Sequence, residues 1–252
     1  MIYDILRCVT DLRTMPALRA IFLGLLGLTT LCCAAENSTM TSLQAPDDRE
    51  LNLNVTDQFW RDAPAVSFRH DKDGNPVPGH DTEVRSRWTS KNLYLLFVCH
   101  YQELYLKPNP DPVNETYELW NWDVAEAFIG DDFKDIHHYK EFELSPQGEW
   151  VDLDIRQTPP KPDGSWHWNS GYKVKAKIDA AHKVWYGAMQ IPFASISGKP
   201  AAAGLELRIN LFRAQGPPAS RKLMCWQPTH SKTFHVPEVF GTLRLAPQSS
   251  AK

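Results

Sequence analysis

The stretch Thr82-Glu83-Val84-Arg85-Ser86-Arg87-Trp88-Thr89-Ser90-Lys91-Asn92-Leu93-Tyr94-Leu95-Leu96-Phe97-Val98-Cys99-His100-Tyr101 decides the fold. It predicts a hairpin with an arm from Thr82 to Trp88, a reversal at Thr89-Ser90-Lys91-Asn92, and a return arm from Leu93. In the return arm Leu93, Leu95 and Phe97 occupy one face and Tyr94, Leu96 and Val98 the other, so both faces are apolar. Such a strand lies centrally, covered on both sides. On either side of it, short runs of period two alternate with Pro, Gly, Asn and Asp clusters, and no long run keeps a helical period. The expectation is an all-β protein, an antiparallel β-sandwich of jelly-roll type.

Tyr172, Val174, Ala176 and Ile178 alternate with Lys173, Lys175 and Lys177, as in an edge or solvent-facing strand. Leu205, Leu207, Ile209 and Leu211 alternate with Glu206, Arg208, Asn210 and Phe212, which predicts a half-buried strand ending at Arg213. A helical turn is expected near Gln58-Phe59-Trp60, capped by Thr56 or Asp57. Trp60, Trp88 and Trp185 sit in patterned segments and are assigned to the core; Trp166 and Trp168 form either a loop platform or the start of a strand packing its tryptophans inward, and packing is the favoured reading.

Trp120-Asn121-Trp122-Asp123-Val124-Ala125-Glu126-Ala127-Phe128-Ile129 carries the chemistry. In extended chain Glu126 shares a face with Val124 and Phe128. A carboxylate there needs a cation, a metal or a hydroxyl-rich ligand, because an unpaired buried charge is costly. Indole planes beside carboxylates suit a sugar ring, whose C–H face packs on an aromatic plane while its hydroxyls donate to the acid.

A second hairpin joins residues 139–144 to 149–154 through Ser145-Pro146-Gln147-Gly148. A four-residue loop sets Glu143 against Trp150, Glu141 against Asp152 and Tyr139 against Asp154. Like charges directly opposed are destabilising, so an arginine (Arg85, Arg87, Arg208 or Arg213), a calcium ion or carbohydrate is expected to cover that face; the alternative is a solvated acidic surface.

The amino terminus resembles an export signal over residues 1–35: Arg19, the apolar run Ala20–Leu31, then Cys33-Ala34-Ala35. That run is short for a stable membrane span. Residues 1–14 read as an extension before Met15, and lipid anchoring at Cys32 or Cys33 is the rival. Residues 36–48 read as a linker, 49–246 as the single domain and 247–252 as a tail. The expected location is exported, periplasmic or extracellular. Cys99 and Cys225 remain after the signal, as a disulfide or as two buried thiols. The sequons at Asn37, Asn54 and Asn114 bear only on a glycosylating pathway.

A formal net charge of −3 with no basic cluster disfavours nucleic acid. No Gly-rich phosphate loop, Cys-x-x-Cys pair, His-Glu-x-x-His helix or Gly-x-Ser-x-Gly elbow occurs. Two enzymatic or cofactor alternatives stay open: a glycoside hydrolase using two of Glu126, Glu141, Glu143 and Asp152, and a haem-binding sandwich with Met224, His100 or His235 as ligands.

Across residues 51–246 the chain resembles the family 9 carbohydrate-binding modules. The likeness is carried by Phe59-Trp60-Arg61-Asp62-Ala63-Pro64, the first hairpin, the strand Asp123–Ile129, Tyr139–Phe142, Ile191-Pro192-Phe193, Asn210–Arg213, Trp226-Gln227-Pro228 and the closing run Phe234–Leu245. The resemblance implies a β-sandwich that grips the end of a glucan or xylan chain between two aromatic rings, without catalysis, beside a partner glycoside hydrolase. It places Trp120 on one side of the clamp, Phe234 on the other where tryptophan is usual, and Glu126 as the hydroxyl-binding carboxylate. Ser231 stands where the family has asparagine and Glu143 where it has arginine. The sequence expectation is that Trp120, Trp122 and Phe234 stack on a polysaccharide end or oligosaccharide while Glu126, Tyr139, Glu143 and Arg213 hydrogen-bond to it. Some members hold structural calcium, which the acidic hairpin suits.

Overall fold

Among the described residues, twelve strands follow one another with two single-turn α-helices between them: β1 (Thr39–Gln44), α1 (Gln58–Arg61), β2 (Ala65–Phe68), β3 (Thr82–Trp88), β4 (Asn92–His100), β5 (Val124–Gly130), β6 (His138–Leu144), β7 (Trp150–Arg156), β8 (Lys173–Asp179), β9 (Val184–Pro192), α2 (Phe193–Ile196), β10 (Glu206–Gln215), β11 (Lys222–Cys225) and β12 (Gly241–Ala246). The computed structural model describes residues 38–161 and 165–248. The expected signal peptide, the anchoring cysteines, Asn37 and the end of the tail lie outside the described residues.

Hydrogen-bonded neighbours run β7-β6-β5-β10-β12-β1-β3-β4-β9-β8, with β11 added to β10 and β2 to β3. Every pairing is antiparallel except those of β1, which runs parallel to β12 and to β3. The sheet is therefore mixed, and the expected linker is not one. Met40, fully buried, carries β1 into the core, and the strand joins two halves of the ladder. A short polar-looking run becomes a strand because its neighbours offer two free edges, which outweighs its weak apolar signal.

The halves pack face to face. Ala125, Ala127, Ile129, Phe142 and Leu144 from one meet Leu93, Leu95, Phe97, Trp185 and Met189 from the other in the main core. β4 lies between β3 and β9, and both its faces are covered, as its composition predicts. β8 is the lysine-bearing edge. Asp57 caps α1 by accepting from the Phe59 amide at 2.8 Å, and Trp60, Trp88 and Trp185 are buried. Cys99 and Cys225 are free buried thiols, one in the main core and the other in a cluster on the outer face of β10.

Two readings change. The strand β10 is buried on both faces, because the segment after β11 folds over its polar side: Asn210 donates to the Gln227 carbonyl at 2.9 Å and Arg208 to the carbonyls of Ile136 and Pro237. The β6–β7 hairpin is one residue out of the expected register. Its loop has five residues, Ser145–Glu149, and the pairs are Leu144 with Trp150, Glu143 with Val151, Phe142 with Asp152 and Glu141 with Leu153. Glu149 is drawn into the turn, buried, where its carboxylate accepts from the Ser145 hydroxyl at 3.1 Å and lies 3.3 Å from the Lys107 ammonium. Glu141 and Asp152 therefore point to opposite faces. Asp152 accepts from Ser170 instead, and across that other face Lys140 pairs with Asp154 and lies over the Trp168 ring.

The β1–β12 contact leaves no room at Gly241, where an added Cβ would sit 2.4 Å from the Ser38 carbonyl oxygen and 2.8 Å from the Trp226 ring. Gly241→Ala is expected to cost about 1–3 kcal/mol by overpacking, measured by urea unfolding; an unchanged midpoint would count against the placement of β1.

Candidate functional site

On the outer face of the β5-β6-β7 half, opposite the main core, a second apolar cluster gathers Val124, Phe128, Tyr139, Val151, Leu153, Phe212 and Phe234. The register decides what joins it. Glu126 lies directly across from Glu143, and Phe128 across from Glu141, on neighbouring antiparallel strands. All three glutamates thus share this face, between apolar neighbours. Each is at most 3% exposed, and one ligand oxygen from each lies within 4.8 Å of the others.

Glu126 and Glu141 open into a cavity of about 320 Å³ whose walls include Trp120, Trp166, Phe128, Phe234, His235 and Arg221. Glu143 sits beside them, sealed from solvent. Burial raises the Glu143 and Glu126 carboxyls well above the usual range, and the neighbouring glutamates push both further. Burial pushes Glu141 up to about 7. The nearby Arg221 guanidinium opposes these shifts for Glu126 and Glu143. Its Nη hydrogens are spent elsewhere, on the carbonyls of Trp120, Asn121, Trp122 and Gly216. Arg221 therefore pins the tryptophan-bearing loop while lending the acids its charge at a distance. Asp123 anchors the same loop by accepting from the amides of Tyr105 and Gly216 and from Gln215.

The aromatic wall is layered. Phe234 stacks on Phe212 with centroids 4.3 Å apart and an 18° interplanar angle, and Phe212 meets Phe128 at 4.7 Å. His235 stacks on Phe128, and its Nδ1 lies 2.8 Å from the Tyr139 hydroxyl. Burial lowers the His235 imidazole to about 4, so it is neutral near pH 7, and raises the Tyr139 phenol.

Of the expected contact residues, Trp120, Glu126 and Phe234 meet in the cavity wall. Tyr139 lies beneath it, holding His235. Trp122 turns away to stack on Tyr105 at 4.8 Å. Arg213 is a correction: it pairs with Ala125, so it points to the opposite face of β10 from Glu126. There it is fully buried, donates to Thr82 at 3.0 Å and to the His100 carbonyl at 2.8 Å, and lies over Trp185. Sequence reasoning missed Arg221, and for Trp166 it favoured packing over the platform that lines the cavity. The reversal signalled by Gly216-Pro217-Pro218 returns the chain beside β10, and that return is what brings Arg221 to the pocket. Trp168 packs on the main core while Trp166 lines the cavity.

The paired-carboxylate alternative loses Asp152 to the other face. For haem, Met224 is enclosed in the core between the sheets while His235 lines the outer pocket, so the two do not face one space. For calcium, oxygen-only donors fit a hard cation: no donor outside the acid cluster reaches either Glu143 oxygen or Glu141 Oε2.

The family model described as carbohydrate family 9 binding domain-like matches residues 54–248. The chain is 24% identical over 180 residues to an extracellular protein of Arthroderma benhamiae, covering 67% of this chain and 79% of that one. Among solved structures, a family 9 carbohydrate-binding module from Caldicellulosiruptor kristjanssonii in complex with cellotriose has a TM-score of 0.61 at 12% identity, over 84% of this chain and 95% of that one. The same kind of module in complex with glucose also gives 0.61 at 12%, over 85% and 98%. At these identities the structural likeness establishes the fold.

The buried acids make stability depend on pH. Folded Glu141 keeps its proton to about pH 7, whereas the unfolded chain releases it near 4.5. Stability is therefore lost as pH rises through that window, and the loss is complete above it. His235 acts oppositely, removing stability as pH falls from 6.5 toward 4. In metal-free buffer, Glu141→Gln is expected to flatten the loss between about pH 4.5 and 7 by ~2–4 kcal/mol. Urea titrations across that range check this, and equal slopes in the two proteins would refute it.

Proposed function

The chain belongs to the carbohydrate family 9 binding domain-like family, and on that premise we propose that its outer-face pocket binds, without catalysis, the end of a glucan- or xylan-like chain. The observation that carries this reading is the meeting of Trp120, Phe234 and Glu126 in one cavity wall. An indole and a phenyl ring offer flat apolar surfaces to sugar C–H groups, and Glu126 and Glu141 offer acceptors to its hydroxyls. Trp166, with its polar indole N–H, adds a third aromatic wall on the side of β7. The cellotriose and glucose bound by the Caldicellulosiruptor module are the same class of ligand.

The protein acts outside the cytoplasm in this reading. The signal-like residues 1–35 and the extracellular relative support export, and no helix among the described residues is long and apolar enough to cross a membrane. Its service is to hold a glycoside hydrolase near polysaccharide by effective concentration.

One stacking contact contributes about 1 kcal/mol beyond area burial, so affinity in the micromolar to millimolar range is expected. Calorimetric titration of the full chain with cello- and xylo-oligosaccharides tests it, with Trp120→Ala weakening binding about tenfold or more. Silence across a broad glycan panel would sink the proposal.

A further inference from the structure

We propose that Glu126, Glu141 and Glu143 together form a binding site for a hard divalent cation, calcium by its ligand chemistry, on the floor of the pocket. Calcium takes carboxylate oxygens at about 2.3–2.6 Å in flexible geometry. Oxygens around such an ion lie at most about twice that distance apart, and the three nearest oxygens here lie within 4.8 Å of one another. No cysteine belongs to the cluster, and His235 stays 3.9 Å from Glu141 with its Nδ1 engaged by Tyr139.

Proximity of acids alone does not make a site. The second observation is Glu143, which is fully buried and receives no hydrogen bond from any donor outside the triad at either oxygen, while its ligand atom is directed at the other two carboxyls. A buried ionisable group without a donor is costly, and the compensation within the protein is limited to the charge of Arg221 acting at a distance and a contact between Glu141 and Glu143 themselves. Arg221 is the nearest cation, yet its guanidinium is held by four carbonyls. Lys232 stands exposed at the mouth. A proton shared between Glu141 and Glu143 is the competing way to relieve the repulsion. Calcium suits the place better than magnesium, which needs near-ideal octahedral geometry, whereas three carboxyls from two neighbouring strands offer an oxygen set without that fixed arrangement. The cation's remaining positions face the cavity, where sugar hydroxyls would complete its shell; that last statement alone rests on the carbohydrate reading.

The test uses the full chain, stripped with a chelator and measured without sugar. Calcium at a hundred times its Kd is expected to raise Tm by about 5–10 °C, with magnesium giving less. Terbium, a calcium mimic, should luminesce on tryptophan excitation, because Trp120 and Trp166 line the same cavity, and calcium should quench that emission by displacement. Glu143→Gln should weaken calcium binding about tenfold or more by analogy with the loss of one metal-site interaction. An unchanged Tm together with no calcium-displaceable terbium emission from the wild-type chain overturns the site, whatever the variant does. A Glu143→Gln protein that folds and keeps full calcium affinity overturns it as well. Stabilisation by acid alone, with no response to calcium, assigns the triad to proton sharing and likewise ends the proposal. None of these readouts depends on carbohydrate, so failure here and failure of the glycan titrations are separate results.

Discussion

Three carboxyl groups converge on one nearly dry spot because two neighbouring strands turn the same face outward, and the pocket is organised around that crowding. Glu126 and Glu143 are cross-strand partners and Glu141 follows two residues along, so no side-chain rotation separates them far. The first carboxylate to ionise there raises the cost for the next, and acidic neighbours add to burial in raising both Glu126 and Glu143. Arg221 tempers the field without entering it. By donating to the loop carbonyls it fixes Trp120, and its residual charge reaches Glu126 and Glu143 through a poorly screened interior. One side chain thereby couples the aromatic wall to the acidic floor.

The outer face hosts a pocket because it is covered in part. The segment between β11 and β12 closes over β10, supplying Phe234 and His235, and the segment before β5 supplies Trp120. Arg208 and Asn210 hold the former down by bonding to its backbone, and Asp123 with Gln215 ties down the latter. Buried polar residues that look misplaced in a strand thus satisfy loop backbone that would otherwise lack partners. The inward-facing side of the same strands is apolar core, so the binding residues stand on rigid supports.

Local alternation made most of the fold legible. β3, β4 and β8 fall where their patterns place them, since each has one or two decisive apolar faces. β1 escaped because its partners, β12 and β3, are far apart in sequence, and parallel pairing on both edges leaves no turn signal nearby. The hairpin register escaped for a smaller reason: Glu149 reads as a strand residue, but a serine hydroxyl and a lysine pull it into the turn. That single residue moves Asp152 off the acidic face. The site was legible where a motif is contiguous, at Trp120 and Glu126, and at Phe234 through family likeness. Arg213 misled because strand parity relative to Glu126 depends on the β5–β10 register, which no local pattern encodes, and Arg221 was hidden because only the return of the chain beside β10 brings it to the pocket.

Phe234 offers a sugar less surface than an indole, yet its placement offsets part of that loss. The ring lies flat on Phe212, which contacts Phe128, which in turn carries His235. A wall held by packing on three sides has little freedom to surrender when a ligand arrives, so more of the contact energy appears as affinity. The neutral imidazole matters to the same end: burial keeps His235 uncharged down to about pH 4, and its Nδ1 is spent on Tyr139, so the wall presents no competing charge to the acids below. The ionisation state of the pocket is thereby left to the glutamates alone over the neutral range. Whatever settles their charge, a proton or a cation, also sets whether the floor offers a sugar hydroxyl an anionic acceptor or a metal's open coordination position.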